Sequence, residues 1–283
     1  MGKTTGKISL TFKLGGEREI NRMGYGGMQL TGTGVWGDLN DRDNAKRVLN
    51  AAVEAGVNFI DTADSYGPYT NEVLIQESIG QYYGKIVVAT KGGLERPGPG
   101  EWVPNGRPEY IKKCIEGSLK RLKTEQIDLW QLHRIDPAVP VEETLAPVAE
   151  AVAAGKIKYV GLSEVDIKGI ERAQKILPIV SVQNLYNLSN RNWEEVLDYT
   201  ALHNIAFIPW FPLASGPEKM LDKIGAIAKK HNTTVAEVAL AWLLKRSSNI
   251  LLIPGTSSVQ HLRENLQAVQ VALSDEEFES LSK

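Results

Sequence analysis

The stretch FIDTADSYG places Asp61 at the end of a short apolar run and Tyr66 in the turn that follows it. The next two apolar runs, KIVVATK and IDLWQLH, end on Lys91 and His133. Brought together, these four groups suit proton transfer at a carbonyl oxygen. Asp61 would hold the Lys91 ammonium by a charge-assisted hydrogen bond, and the ammonium would in turn face the Tyr66 hydroxyl. A free tyrosine ionises near pH ~10, and an adjacent cation favours its phenolate, so this spacing predicts a phenol that releases its proton nearer neutrality. Each residue alone has an ordinary role, as a helix cap, a solvated charge or a loop-packing ring. The joint placement is what points to a site.

For the four side chains to meet, the runs that carry them must be neighbouring strands with converging C-terminal ends. The chain has the pattern this requires. Short apolar runs alternate with longer amphipathic ones, as repeated βα units demand. In DNAKRVLNAAVEAG, Ala45, Val48, Leu49, Ala52 and Val53 recur at helical spacing and Gly56 supplies a helix-ending position, after which VNFID begins a strand. Counting MGYGG near residue 25 as the first, the runs VNFID, KIVVATK, IDLWQLH, YVGLS, IVSVQ, IAFIPW and ILLIPG complete eight strands. Their ends read Asp61, Lys91, His133, Ser163, Gln183 and Trp210. The predicted fold is α/β, a (β/α)8 TIM barrel over residues 1–283 as one domain, with the active face at the strand C-termini. A doubly wound sheet would place a glycine-rich phosphate loop after its first strand, and GYGGMQ does not match GxGxxG. A hairpin around Leu14, Gly15 and Gly16 is expected to cap the barrel bottom, and residues 217–231 and 274–282 read as extra helices.

Composition narrows the function. With 42% hydrophobic residues and a net charge of -2 the chain can bury a large core, and nothing in its charge points to nucleic acid or an acidic membrane. The start has no apolar run resembling a signal peptide, so a cytoplasmic location is expected. The one cysteine, Cys114, shares a helical apolar face with Ile111, Ile115 and Leu119 and reads as a buried core residue. Neither CxxC nor HExxH occurs, so no metal site is expected.

The motifs FIDTADSYG, VVATK, LWQLHRID and KIKYVGLSE, in this order and spacing, resemble the aldo-keto reductases, and SVQNLYNL and LLIPGTSSVQHLRENLQA extend the likeness toward a bacterial, pyridoxal-reductase-like branch. The resemblance implies hydride transfer from nicotinamide to an aldehyde or ketone, with Asp61, Tyr66, Lys91 and His133 as catalytic tetrad and Tyr66 as proton donor. It also implies that Ser163 and Gln183 hold the carboxamide and that Trp210 stacks on the ring. Phe211, Pro212, Leu213, Ala214 and Ser215 would follow the pyrophosphate, with Gly27 and Met28 near the ribose. The short segment between Trp210 and Pro217 would leave the cofactor lightly enclosed.

Two positions depart from the family pattern. Glu164 stands where an asparagine is usual, and Gly255 and His261 stand where basic residues often meet the NADPH 2′-phosphate. Thr256, Ser257 and backbone amides opening the last barrel helix would then take that phosphate, with Glu264 and Asn265 on the adenine. NADPH is expected, with NADH as the alternative. Val35, Trp36, Trp102 and Arg134 are candidate substrate-pocket residues, with Arg134 meeting either an anionic substrate or Asp136. A monomer is expected. Two other readings are a lyase using Lys91 as a Schiff-base amine, and a non-catalytic cofactor-binding subunit.

Overall fold

The computed structural model describes residues 10–213 and 218–283. An antiparallel hairpin opens the described chain, with β1 at Thr11–Leu14 and β2 at Arg18–Asn21, turned by Gly15 and Gly16 at φ +60° and +82°. The parallel strands β3 (Tyr25–Gly26), β4 (Phe59–Asp61) and β5 (Val87–Gly92) follow, separated by helices α1 (Arg42–Glu54) and α2 (Thr70–Ile79). A second small hairpin, β6 (Leu94–Glu95) with β7 (Val103–Pro104), was not anticipated from sequence. It interrupts the alternation before α3 (Pro108–Leu122), β8 (Ile127–Leu132), α4 (Val141–Ala153) and β9 (Ile157–Ser163). The remaining elements are α5 (Ile167–Gln174), β10 (Ser181–Gln183), α6 (Glu194–Leu202), β11 (Ala206–Phe207), α7 (Glu218–His231), α8 (Val235–Arg246), α9 (Val259–Gln267) and α10 (Asp275–Leu281).

Seven of the strands form one parallel sheet in the order β11, β10, β9, β8, β5, β4, β3. The expected eighth, ILLIPG, pairs too briefly to be a full strand, yet it closes the barrel. Ile250 bridges Phe207 on one side and Leu252 bridges Met23 on the other, both parallel. Gly24 N donates to Leu252 O at 2.7 Å and Leu251 N to Phe207 O at 2.9 Å. Arg22, 1% exposed, fastens the same seam by donating from Nε to Ile250 O at 2.9 Å and from Nη2 to Leu244 O at 3.0 Å.

The helices form as their sequences predict. Asp41 caps α1 by accepting from Asn44 N, Ala45, Val48, Leu49 and Ala52 are buried, and Gly56 stands at φ +91° just past the helix. Ser274 and Glu277 form a capping box at the start of α10. Among the described residues no helix is long and apolar enough to cross a membrane.

The two-residue period of each strand sets what the barrel interior contains. Low in the barrel, Phe59, Val87, Ala89, Leu129, Tyr159 and Leu251 pack into one cluster with Leu14 and Ile20 of the hairpin, which plugs the barrel's N-terminal end. Stepping up by two residues from Phe59, Ala89 and Leu129 gives Asp61, Lys91 and Gln131, and on β9 two steps from Tyr159 pass Gly161 to reach Ser163, so these four strands exchange an oily foot for a polar tip. Gly161 is required there, since a Cβ would lie 2.0 Å from Ser181 Oγ and 3.0 Å from Gln131 Cγ.

Candidate active site

At the strand C-termini a cavity of about 740 Å³ opens, lined by residues that include Asp61, Tyr66, Trp102, His133, Gln183 and Trp210. Its floor is an ion pair. Lys91 is fully buried, and Nζ donates to Asp61 Oδ1 at 2.6 Å and to Thr62 O at 2.8 Å. The Tyr66 hydroxyl lies 3.4 Å from Lys91 Nζ, and the ammonium stands 5.0 Å from the tyrosine ring centroid. His133 meets the Tyr66 ring edge-on at 5.9 Å, and its Nδ1 lies 3.2 Å from Ser65 Oγ. His133 Nε2 has no hydrogen-bond partner among the described residues. All four residues singled out as a proton-transfer group therefore converge.

Two glutamines complete the floor. Asp61 Oδ2 accepts from Gln183 Nε2 at 2.9 Å and from Gln131 Nε2 at 3.3 Å, so both carboxylate oxygens are engaged. Sequence reasoning missed Gln131, although a buried amide within the apolar run IDLWQLH was a usable signal.

Electrostatics here differ from expectation in one respect. Burial pushes the Tyr66 phenol above its ordinary value; the Lys91 ammonium pulls it down, Asp61 adds to the rise, and burial prevails. The phenol is thus a fully loaded proton donor at neutral pH, not one that ionises near neutrality. Burial also works against the Lys91 ammonium, but Asp61 and Tyr66 outweigh it and the net shift is upward. Burial first, then Lys91, Arg134 and Arg96, hold His133 well below the ordinary imidazole value, so the ring is neutral.

This geometry stands on a chain whose residues 22–283 match the model for the aldo/keto reductase family. The chain belongs to that family. As a member it is a nicotinamide-dependent oxidoreductase. It is 46% identical to an uncharacterized oxidoreductase of Schizosaccharomyces pombe, over 95% of this chain and 88% of that one. It is 40% identical to pyridoxine 4-dehydrogenase of Escherichia coli, over 96% of this chain and 97% of the relative. An aldo-keto reductase from Klebsiella pneumoniae, solved in complex with NADPH, superposes with a TM-score of 0.81 at 25% identity, covering 97% of this chain and 94% of that one.

Of the positions an aldo-keto reductase would use for its cofactor, Met28, Ser163, Gln183, Trp210, Phe211, Pro212, Leu213 and Gly255 line the cavity. Gly27 is buried directly beside them in the turn after β3, while Ala214 and Ser215, with the short segment leading to Pro217, lie outside the described residues. Ser163 Oγ donates to Gln183 O at 2.8 Å, and Gln183 Oε1 has no partner among the described residues. Glu164, at φ +54°, turns its Oε1 to Trp210 Nε1 at 2.7 Å and Leu185 N at 2.5 Å. Around the start of α9, Ser257 and His261 are exposed and Ser258 caps the helix, whereas Thr256 is buried with its hydroxyl accepting from Ser258 N. Asn265 is buried and Glu264 accepts from Gln260.

The substrate side needs three corrections. Trp102 lines the cavity and meets both Tyr66 and His133 edge-on, at 6.3 and 6.1 Å, but Trp36 does not line it. Trp36 instead packs on Arg96, whose guanidinium also lies 3.6 Å from the Trp102 ring centroid. Arg96, missed from sequence, donates to the carbonyls of Gly34, Val35, Ser65 and Glu101 and so ties together the loops around Tyr66. Arg134 forms no pair with Asp136, which accepts from Gly106 N and Ala138 N; Arg134 Nη1 donates to His133 O and Ser163 Oγ.

Proposed function

We propose that this aldo-keto reductase uses NADPH to reduce an aldehyde or ketone to the alcohol, with Tyr66 protonating the carbonyl oxygen. The observation that carries this reading is the single buried chain of contacts from Asp61 through Lys91 Nζ to the Tyr66 hydroxyl. When bound, the nicotinamide supplies a hydride to the carbonyl carbon.

The protein's own groups do the rest. Tyr66 presents an O–H to the oxygen as negative charge develops there, and Lys91, fixed by Asp61, stabilises the phenolate that proton transfer leaves. His133, neutral and with Nε2 free, orients the carbonyl by a hydrogen bond. Ser163 and Gln183 offer polar partners to the carboxamide, and Trp210 offers a face for the ring to stack on, leaving the opposite face to substrate. The start of α9 carries no acidic residue, which suits the extra phosphate of NADPH, and the relative from Klebsiella pneumoniae supports the same cofactor.

The Schiff-base reading is disfavoured because Asp61 keeps the Lys91 amine protonated and unable to attack a carbonyl. The deciding experiment is a panel of aldehydes and ketones followed by loss of NADPH absorbance, repeated with NADH. Substrate-dependent oxidation of NADPH is expected; binding of NADPH with no oxidation by any carbonyl would leave only the cofactor-binding subunit.

A further inference from the structure

The cavity contains a cation that the proposed chemistry does not use. Arg134 directly follows His133 and lines the same cavity as Tyr66 and Trp102. Its Nη1 donates to His133 O at 2.6 Å and to Ser163 Oγ at 2.9 Å, both neutral acceptors. Among the described residues, Nε and Nη2 donate to nothing and no carboxylate pairs with the guanidinium. Arg96, packed on Trp102, is different, since its Nε, Nη1 and Nη2 all donate to main-chain carbonyls.

Asp61 and Glu164 form no ion pair with Arg134. Asp61 is held by Lys91 and both glutamines. Glu164 acts on Arg134 electrostatically, but its Oε1 is taken by Trp210 and Leu185 and no ion pair forms. A half-buried guanidinium with no carboxylate in hydrogen-bond contact keeps an unanswered edge, and its planar fork is shaped for two oxygens of one anion. We propose that the substrate carries an anionic group, a carboxylate or phosphate, which the free edge of Arg134 holds while the carbonyl lies against Tyr66 and His133. Leu94, Trp102 and Pro104 line the space beside these groups and fit an apolar or aromatic body joining the two ends. This assignment rests on the reductase reading and names the substrate class for that same site.

The test compares para-formylbenzoate with its methyl ester, and succinic semialdehyde with its methyl ester, using NADPH. In at least one pair the acid should exceed the ester in kcat/KM by about 10-fold or more, the range expected for a hydrogen-bonded charge. Arg134→Gln should bring that ratio close to one, and Arg134→Lys should keep part of it. Because the readout is a ratio, damage to folding or to cofactor binding affects both members and cancels. Esters reduced as well as acids by the wild type, or a ratio unchanged in Arg134→Gln, would overturn the anion site while leaving the reductase intact. If no member of either pair is reduced, the reductase reading is decided by the wider carbonyl panel, and calorimetric titration of the NADPH complex with para-formylbenzoate decides the site. Binding lost in Arg134→Gln supports it, and equal or absent binding refutes it.

Discussion

Glu164 Oε1 accepts a hydrogen bond from the indole Nε1 of Trp210 at 2.7 Å, so the ring proposed to stack on the nicotinamide is held by a residue at the tip of β9, two strands away in the barrel. The same oxygen takes Leu185 N. Removing the carboxylate strands a main-chain donor and frees the indole to turn.

Glu164→Ala is expected to weaken NADPH binding by about 10-fold, and Glu164→Gln by less, because an amide oxygen still accepts. Quenching of tryptophan fluorescence during NADPH titration measures this. Wild-type affinity in Glu164→Ala would remove the steering role.

Tyr66→Phe is expected to lower turnover by roughly 10²- to 10⁴-fold while NADPH still binds. The pH profile gives a second check. The phenol is shifted above its ordinary value and the imidazole of His133 well below its own, so neither changes charge between about pH 7 and 9. At saturating NADPH and substrate, kcat should be flat across that window. An alkaline limb with a midpoint near 8 would mean that Lys91 outweighs burial after all.

Arg96 collects four main-chain carbonyls from the loops beside Tyr66, including Ser65 O at 2.6 Å. It also supports Trp102, the cavity wall. Arg96→Lys keeps the charge and loses the planar fork, so KM for aldehydes should rise several-fold, with a smaller change in affinity for NADPH. Equal losses in both would indicate general damage to the fold.

Asp64, two residues before Tyr66, is buried beside Cys114, and burial, with Glu72 adding, pushes its carboxyl up to about 7. The folded value lies above the unfolded one, so Asp64 costs nothing below about pH 4. The cost grows as pH rises from there toward 7, then levels off at about 4 kcal/mol. Asp64→Asn should therefore raise Tm by several degrees at pH 8.5 and by clearly less at pH 5. A gain independent of pH would refute the assignment.

Much of this arrangement is legible in the chain. The two-residue period puts Asp61, Lys91 and Ser163 at the tips of strands whose lower positions are apolar, and a closed parallel barrel gathers such tips around one mouth. Other features leave weaker marks. Arg96 works through main-chain carbonyls, and carbonyls have no signature in a sequence. Arg134 and Asp136 stand two positions apart, yet their side chains diverge to Ser163 and to Gly106. The direction of the Tyr66 shift depended on burial, and a list of charged neighbours omits the water they displace.

The seam between the first and last strands has a consequence for biosynthesis. Arg22 Nε reaches Ile250 O across 228 positions of sequence, and Met23 bridges Leu252 beside it. A nascent chain on the ribosome cannot make these contacts until translation has passed Leu252. The ring of strands therefore closes only after Leu252 has left the ribosome, and until then the edge of β3 must be shielded by other means.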